Sequence, residues 1–353
     1  MLNWLRKKAL ESTQREYSKG LSRTLNFSRY VSKNWVKLKH NGLSLGDHAL
    51  GNDIMKNWKK DSNDLMNFTQ QLERDINELR KQGYSEENII SKMMSLKGRR
   101  ALITGANGFI GRQMALTIAE LGGDSILVDK PGSSYIDLVD ELNRSFEVKV
   151  ISIDCDMEDN TSREELILKV LKQKDSLNIL INNAAFVGTE ELEGWATDFQ
   201  DQSIETWKRA IEVNLTSVFH LTKGLAKKIQ KSKNGSVINI GSIYATLGPN
   251  YSLYEGTEMG SPAAYASSKG GLIQLTRWLS TTLAPEIRVN SISPGGVFRG
   301  QPTSFVEKYE NLTPLKRMAT EEDFKGGIAY LASDMSTYVT GQNLLIDGGW
   351  STW

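Results

Sequence analysis

Cysteine is almost absent from the sequence, and so is any long apolar run. Cys155 is the only cysteine in 353 residues, so the chain cannot form an internal disulfide, as is typical of a reducing compartment. No run approaches the roughly 18 apolar residues of a membrane-spanning helix. Arg6, Lys7 and Lys8 stand where a secretory signal would have its apolar core. We therefore expect a cytoplasmic protein without a transmembrane segment.

The chain as a whole also lacks an excess of charge of either sign. Its net charge is +1, which gives no indication of a nucleic-acid partner. The first 60 residues differ, with thirteen Lys and Arg against four acidic residues, a local net charge of +9. This segment either packs on the rest of the protein or makes a peripheral contact with an anionic surface or partner. Nothing in it has the spacing of metal ligands, so we expect no metal.

The segment before residue 96 is predicted to be helical. One apolar stripe recurs at steps of three and four residues, which places its members on one helix face: Leu65, Phe68, Leu72, Ile76 and Leu79. Gly83 supplies a helix stop after this stripe. We interpret residues 1–95 as an all-helical N-terminal extension whose apolar face packs on the remaining domain or on a second subunit.

A different pattern begins near Arg100. Short apolar runs alternate with helix-forming stretches, and this alternation is typical of βαβ units with a parallel sheet. The runs lie at residues 101–104, 125–128, 148–153, 179–181, 237–240 and 288–291. The pattern predicts an α/β domain at residues 96–353, a Rossmann-type doubly wound parallel sheet.

A glycine-rich loop lies between the first predicted strand and a helix-forming stretch. Glycines at such a junction let the backbone approach a diphosphate, and the new helix offers free N–H groups and the positive end of its dipole. The position between strand and helix is the context that this motif requires. The loop predicts a dinucleotide site that includes Gly105, Asn107, Gly108, Phe109, Ile110 and Gly111.

The second strand ends at Asp129, 18 residues after Gly111. A carboxylate at this spacing accepts hydrogen bonds from the two hydroxyls of the adenosine ribose and repels a 2′-phosphate. NAD is therefore favoured over NADP. Lys130 stands beside it and softens this preference, so NADP remains the alternative.

Several further motifs follow the glycine-rich loop. In chain order, the set is Thr104–Gly111, Asn182-Asn183-Ala184-Ala185, Asn214, Ser242, Tyr265-x-x-x-Lys269 and Pro294-Gly295. In order and spacing these motifs resemble the short-chain dehydrogenase/reductase family. The resemblance covers residues 97–353 and implies a nicotinamide-dependent oxidoreductase.

The chemistry of oxidising an alcohol suits four of these residues. Hydride removal requires a base for the hydroxyl proton, and tyrosine is a poor base at neutral pH because its ordinary pKa is about 10. Lys269 lies at i+4 from Tyr265, on the same helix face, where its charge favours the phenolate. We therefore expect Tyr265 to be the catalytic base or acid and Ser242 to hydrogen-bond the substrate oxygen. The resemblance assigns a proton-relay water to Asn214.

The resemblance also implies further cofactor contacts. Asp156 and Met157 would meet the adenine. The turn at Asn182, Asn183, Ala184 and Ala185 would lie beside the adenosine ribose. The residues Pro294, Gly295 and Val297 would lie under the nicotinamide, and Tyr265 and Lys269 would also contact the cofactor.

The chain departs from the family pattern in three places. The loop has the glycine spacing of the extended branch, but only 84 residues follow Lys269, which favours the short branch. The segment before Tyr265 carries an insert at residues 249–259, rich in aromatic and polar residues, which resembles a loop in members from bacterial surface-sugar pathways. Arg299 replaces a threonine that usually contacts the nicotinamide amide, and would suit a phosphate or carboxylate on the substrate.

We therefore expect hydride transfer between the nicotinamide and an alcohol or ketone of a sugar derivative. The alternatives are reduction of a non-sugar carbonyl, such as a 3-oxoacyl thioester, and a non-catalytic scaffold on the same fold. We also expect a homo-oligomer, a dimer or tetramer. Two helical stripes are predicted to form its interface: Val218, Leu221 and Leu225, and Leu272, Leu275 and Trp278.

Overall fold

The computed structural model describes residues 89–187 and 192–353. Its centre is a sheet of seven parallel strands in the order β3-β2-β1-β4-β5-β6-β7. The strands are β1 Arg100–Thr104, β2 Asp124–Asp129, β3 Val150–Asp154, β4 Ile179–Asn182, β5 Gly235–Ile240, β6 Ile287–Pro294 and β7 Asn343–Ile346. The predicted α/β class with a Rossmann-type doubly wound sheet is confirmed.

Nine α-helices accompany the sheet in the described ranges. They are α1 Ile89–Met94, α2 Phe109–Glu120, α3 Ile136–Ser145, α4 Asn160–Lys172, α5 Ile204–Ile211, α6 Ser217–Gln230, α7 Ala263–Thr282, α8 Thr303–Leu312 and α9 Lys325–Ala332. None of these helices is long and apolar enough to cross a membrane. The predicted N-terminal extension, with its stripe from Leu65 to Leu79, lies outside the described residues except for α1.

Consecutive residues of the central strands are apolar because helices cover both faces of the sheet. Neighbouring side chains of a strand point to opposite faces. Leu102 packs in a cluster with α4 and α6, whereas Ile103 packs on the other face with α2 and α9. Both side chains are fully buried. The core therefore lies in two layers, one on each side of the sheet.

The strand order places the functional cleft. The chain runs outward from β1 to β3 on one side and then resumes beside β1 with β4. At such a reversal the connections leave a crevice outside the carboxyl ends of the strands, where ligands of open α/β sheets bind. The strands around this crevice end at Thr104, Asp129, Asn182, Ile240 and Pro294.

Most residues of the two stripes predicted to form a subunit interface face the chain's own core. Leu221 and Leu225 of α6 pack beneath the sheet and are at most 1% exposed, and Leu272 of α7 is equally buried. The prediction was wrong for these buried residues, because each helix must first cover the sheet with its apolar face. The outward apolar residues of the same helices are Phe219, 42% exposed, and Trp278, 55% exposed.

Candidate active site

The glycine-rich loop brings the start of α2 against the end of β1. Gly105 has a φ of +62°, and a Cβ added there would lie 2.8 Å from the Cα of Ala184. A Cβ on Gly111 would lie 2.1 Å from the carbonyl oxygen of Gly105. The loop therefore requires glycine at both positions. Gly108 precedes α2 and supplies no side-chain cap, so the first turn presents its N–H groups to a ligand.

Hydrogen bonds tie this loop to the segment after β4. The hydroxyl of Thr104 accepts from the backbone N–H groups of Asn183 and Ala184, each at 3.0 Å. The Asn183 side chain donates to the carbonyl oxygens of Thr104 at 3.0 Å and Gly105 at 2.9 Å. Asn183 thus lines the site and also holds the backbone of the glycine-rich loop in place.

Asp129 lies at the end of β2, beside the loop. Its carboxylate accepts from the backbone N–H of Asn107 at 2.8 Å and from that of Lys130 at 2.8 Å, and the hydroxyl of Ser133 donates to it at 3.4 Å. The carboxylate therefore holds the loop as well as presenting charge to the cleft.

Of the residues that follow β3, two line the cleft, and the side chain of a third accepts a hydrogen bond from a backbone N–H. Cys155 and Met157 line the cleft. Asp156, between them, uses its carboxylate to accept from the backbone N–H of Glu158 at 2.9 Å. The structure thus places Met157 in the cleft, whereas the adenine contact expected of Asp156 stays a prediction.

Asn214 lies in a π-helical turn, Glu212–Thr216, which joins α5 to α6. Its side-chain oxygen accepts from the backbone N–H of Phe186 at 2.7 Å, and its Nδ2 donates to Phe186 O at 3.2 Å and to Ser268 Oγ at 2.9 Å. The side chain therefore holds the segment after β4 against α7. Such turns often occur at functional sites. The relay role of Asn214 stays a prediction.

Ser242, Tyr265 and Lys269 meet at the carboxyl end of β5. Tyr265 and Lys269 lie one turn apart on α7, and the Lys269 Nζ is 5.7 Å from the centroid of the Tyr265 ring. The Nζ donates to Ile240 O at 2.7 Å. Ser242 lies two residues after the end of β5 and is 7% exposed. The three side chains predicted to carry the proton chemistry are thus neighbours.

Burial dominates the electrostatics of this group. It raises the pKa of Tyr265, while a hydrogen bond with Ser242 opposes the shift and the nearby Tyr254 adds to it. Burial lowers the pKa of Lys269 to about 8. At neutral pH the lysine is therefore charged and the tyrosine protonated.

The insert at residues 249–259 folds against α8. It contains a 3₁₀ turn, Tyr251–Leu253, and Leu253 is fully buried beside Phe305. Lys308 of α8 donates to Ser252 O at 2.8 Å and to Glu255 O at 3.1 Å. The insert is therefore a packed part of the domain.

Two phenols of this region form a pair. The hydroxyls of Tyr244 and Tyr254 lie 2.5 Å apart, and burial raises the pKa of each. The backbone N–H of Tyr244 donates to the hydroxyl of Ser242 at 3.2 Å, so the pair connects the insert to this site. No residue of the insert is among the described residues that line the cavity, so its place at the mouth of the site stays a prediction. Tyr244 was not anticipated, because nothing in its local sequence indicates its partner ten residues later.

One cavity of about 540 Å³ lies between the glycine-rich loop and the carboxyl ends of the strands. The predicted residues that line it are Gly105, Asn107, Gly108, Phe109, Ile110, Gly111, Asp129, Met157, Asn183, Ala184, Ala185, Ser242, Tyr265, Lys269, Pro294, Gly295 and Val297. Arg299 and Lys130 add positive charge to its wall. Asn182 instead bonds Asn239 within the sheet, at 2.8 Å. An elongated cleft with a glycine cradle, a helix N-terminus and a carboxylate fits a nicotinamide dinucleotide.

A family model described as enoyl-(acyl carrier protein) reductase matches residues 105–351. The chain belongs to the short-chain dehydrogenase/reductase family. It is accordingly an oxidoreductase that uses a nicotinamide dinucleotide, as the resemblance implied.

Three curated relatives differ in the substrates that their names give. Post-translational flagellin modification protein A of Campylobacter coli is 29% identical over 72% of this chain and 99% of its own. The 2-dehydro-3-deoxy-D-gluconate 5-dehydrogenase of Pseudoalteromonas atlantica is 32% identical over 72% and 97%. The 3-oxoacyl-(acyl-carrier-protein) reductase FabG of Thermotoga maritima is 31% identical over 72% and 99%.

Solved structures of the family differ in cofactor. A short-chain dehydrogenase from Leptospira borgpetersenii with bound NAD+ has a TM-score of 0.63 and 32% identity, covering 76% of this chain and 97% of that one. The NADPH-dependent 3-quinuclidinone reductase from Rhodotorula rubra has a TM-score of 0.67 and 30% identity, with the same coverage.

The burial of Lys269 makes a prediction about stability. The unfolded lysine keeps its proton up to a pKa near 10.5, whereas the folded one loses it near 8. Between these values the unfolded chain binds more protons, so this group makes the folded state more stable as the pH rises. The gain is at most about 3 kcal/mol.

Lys269→Met should remove this pH-dependent rise in the free energy of unfolding, because methionine fills the same space without a titratable group. At pH 7 we expect the variant to have a higher free energy of unfolding than the wild type, whose lysine is charged. By pH 10 this difference should disappear, because the wild-type lysine is then neutral in the folded state. Urea unfolding of both proteins at the two pH values measures the difference. An advantage that is constant with pH would contradict a buried ammonium.

Proposed function

We propose that the chain is an NAD-preferring dehydrogenase or reductase that acts on the hydroxyl or keto group of a sugar or sugar derivative. The observation that carries this proposal is the meeting of Tyr265, Lys269 and Ser242 in the cavity, with the Tyr244–Tyr254 hydroxyl pair close by.

The proton chemistry belongs to the side chains. A nicotinamide held in this cleft would supply the hydride transfer to or from the substrate carbon. Tyr265 takes the hydroxyl proton in oxidation and returns it to the carbonyl oxygen in reduction. Ser242 hydrogen-bonds that oxygen. Lys269, charged below about pH 8, stabilises the phenolate.

The phenol pair supports a polyhydroxylated substrate. Tyr244 and Tyr254 each carry a hydroxyl that can donate and accept. The backbone N–H of Tyr244 donates to the hydroxyl of Ser242 at 3.2 Å. Tyr254 belongs to the insert, which Lys308 holds through Ser252 O and Glu255 O. The relative named as a sugar-acid dehydrogenase supports the same class of substrate.

A 3-oxoacyl thioester is the second candidate substrate. The relative named as a 3-oxoacyl-(acyl-carrier-protein) reductase favours it. Parallel assays with keto-sugars, sugar alcohols and a 3-oxoacyl thioester separate the two. Turnover of the thioester alone would overturn the sugar proposal.

Tyr265→Phe should abolish turnover of every substrate that the wild type accepts. The ring remains, so packing survives, but the proton-transfer group is lost, which costs about 10²–10⁴-fold in kcat. Nicotinamide absorbance follows the reaction, and titration of the cofactor provides the control because its Kd should change little. Retained turnover would contradict the mechanism, and absence of turnover in the wild type would favour a scaffold.

Asp129 should make the wild type bind NAD more tightly than NADP, by about tenfold or more, which corresponds to about 1.4 kcal/mol. Asp129→Asn should narrow this ratio by removing the charge while keeping an acceptor for Asn107 N. Asp129→Ala removes both and should also weaken NAD. Calorimetric titration of the three proteins with each cofactor gives the six dissociation constants. Tighter binding of NADP by the wild type would overturn the preference.

We also propose a homo-oligomer whose interface contains the outward Phe219 and Trp278. Large exposed apolar side chains on neighbouring helices suit such an interface. Light scattering should give a dimer or tetramer, and Phe219→Glu with Trp278→Glu should lower the mass. A wild-type monomer would contradict this.

Three further expectations from the sequence stay predictions. They are a cytoplasmic location, a peripheral contact through residues 1–60 and a domain boundary at residues 95 and 96.

A further inference from the structure

Arg299 and Phe109 form a contact across the mouth of the cavity. The guanidinium carbon of Arg299 lies 4.4 Å from the centroid of the Phe109 ring, and both residues line the cavity. Phe109 is the first residue of α2, whereas Arg299 follows β6. The pair therefore connects the glycine-rich loop to the opposite wall.

Several contacts hold Arg299 in this position. Its side chain forms an ion pair with Glu321, and its Nη1 donates to Phe298 O at 2.9 Å. Its backbone N–H donates to the side chain of Gln301 at 2.7 Å, and Gln301 in turn donates to Val297 O at 2.9 Å. The guanidinium is thus oriented before any ligand arrives.

The remaining donors of Arg299 suit an anion. The ion pair and the bond to Phe298 both use Nη1, which leaves Nη2 and Nε for a ligand within the described part of the chain. A guanidinium that lies over an aromatic ring can still donate from its free N–H groups to phosphate oxygens. With its side chain 26% exposed, Arg299 is accessible from the cavity.

The start of α2 provides the second half of an anion site. This helix of 12 residues begins at Phe109 itself, and no side chain among the described residues caps its first turn. The N–H groups and the helix dipole there favour negative charge. Arg299 lies over the first residue of the same turn, so both elements face one region of the cavity.

We infer that Arg299 binds the diphosphate of the dinucleotide at the N-terminus of α2, with Phe109 and Glu321 as its positioning residues. This inference rests on the dinucleotide site of the proposed function. The same anion chemistry would suit a phosphate or carboxylate of the substrate, and the two sources differ in which ligand loses affinity when Arg299 is changed.

Adenosine and ADP are the probes that separate them, with binding measured by calorimetry on the full chain. Arg299→Gln should weaken ADP about tenfold through loss of a charge-assisted hydrogen bond and leave adenosine unchanged. Arg317→Gln is the matched control. It removes an arginine paired with Asp323 at 2.7 Å outside the cavity, and should alter neither ligand.

A double-mutant cycle tests the role of the ring. Phe109→Leu should weaken ADP in the wild-type background and have little effect in Arg299→Gln, because the ring acts through the guanidinium. Equal ADP affinity in Arg299→Gln and the wild type would overturn the inference. An equal loss for adenosine would also overturn it. A wild type that binds neither ADP nor NAD(P) would instead overturn the proposed dinucleotide site.

Discussion

The close approach of two backbone segments is the constraint on which the whole site depends. The carbonyl of Gly105 lies where any side chain at position 111 would stand, and Gly105 itself lies against Ala184. Hydrogen bonds from Asn183 fix the same contact from the other side. Because α2 begins at this junction, its first turn is aimed into the crevice where the strand order reverses. A larger residue in the loop would move the helix and the ligand site together.

Lys269 shows what the chemistry costs the fold. A buried ammonium loses hydration, and the bond to Ile240 O replaces only part of it. The lowered pKa of Lys269 records that loss. The same burial places the charge in a low-dielectric surrounding, where its effect on the Tyr265 phenol is stronger than in water. The burial of Lys269 thus lowers the stability of the fold at the site of proton transfer.

Much of the fold follows from the sequence because its signals are local. Runs of apolar residues indicate buried strands, and the i+4 spacing of Tyr265 and Lys269 places both on one helix face. Contacts between distant segments have no such signal. The contact of Arg299 with the Phe109 ring and the hydrogen bonds of Asn214 to Phe186 join residues that no spacing connects. Periodicity also shows that α6 has an apolar face, but not whether that face meets the chain's own sheet or a partner.

The π turn at Glu212–Thr216 limits which changes of length the sequence tolerates at this point. One residue of an α-helix corresponds to a rotation of about 100° around the axis. Deleting a residue here would restore regular helical bonding, but would turn α6 and Asn214 relative to α5. Leu221 and Leu225 would then leave the sheet, and Asn214 would leave the backbone of Phe186. The length of this stretch is therefore fixed by two partners at once, the sheet beneath α6 and the backbone of Phe186.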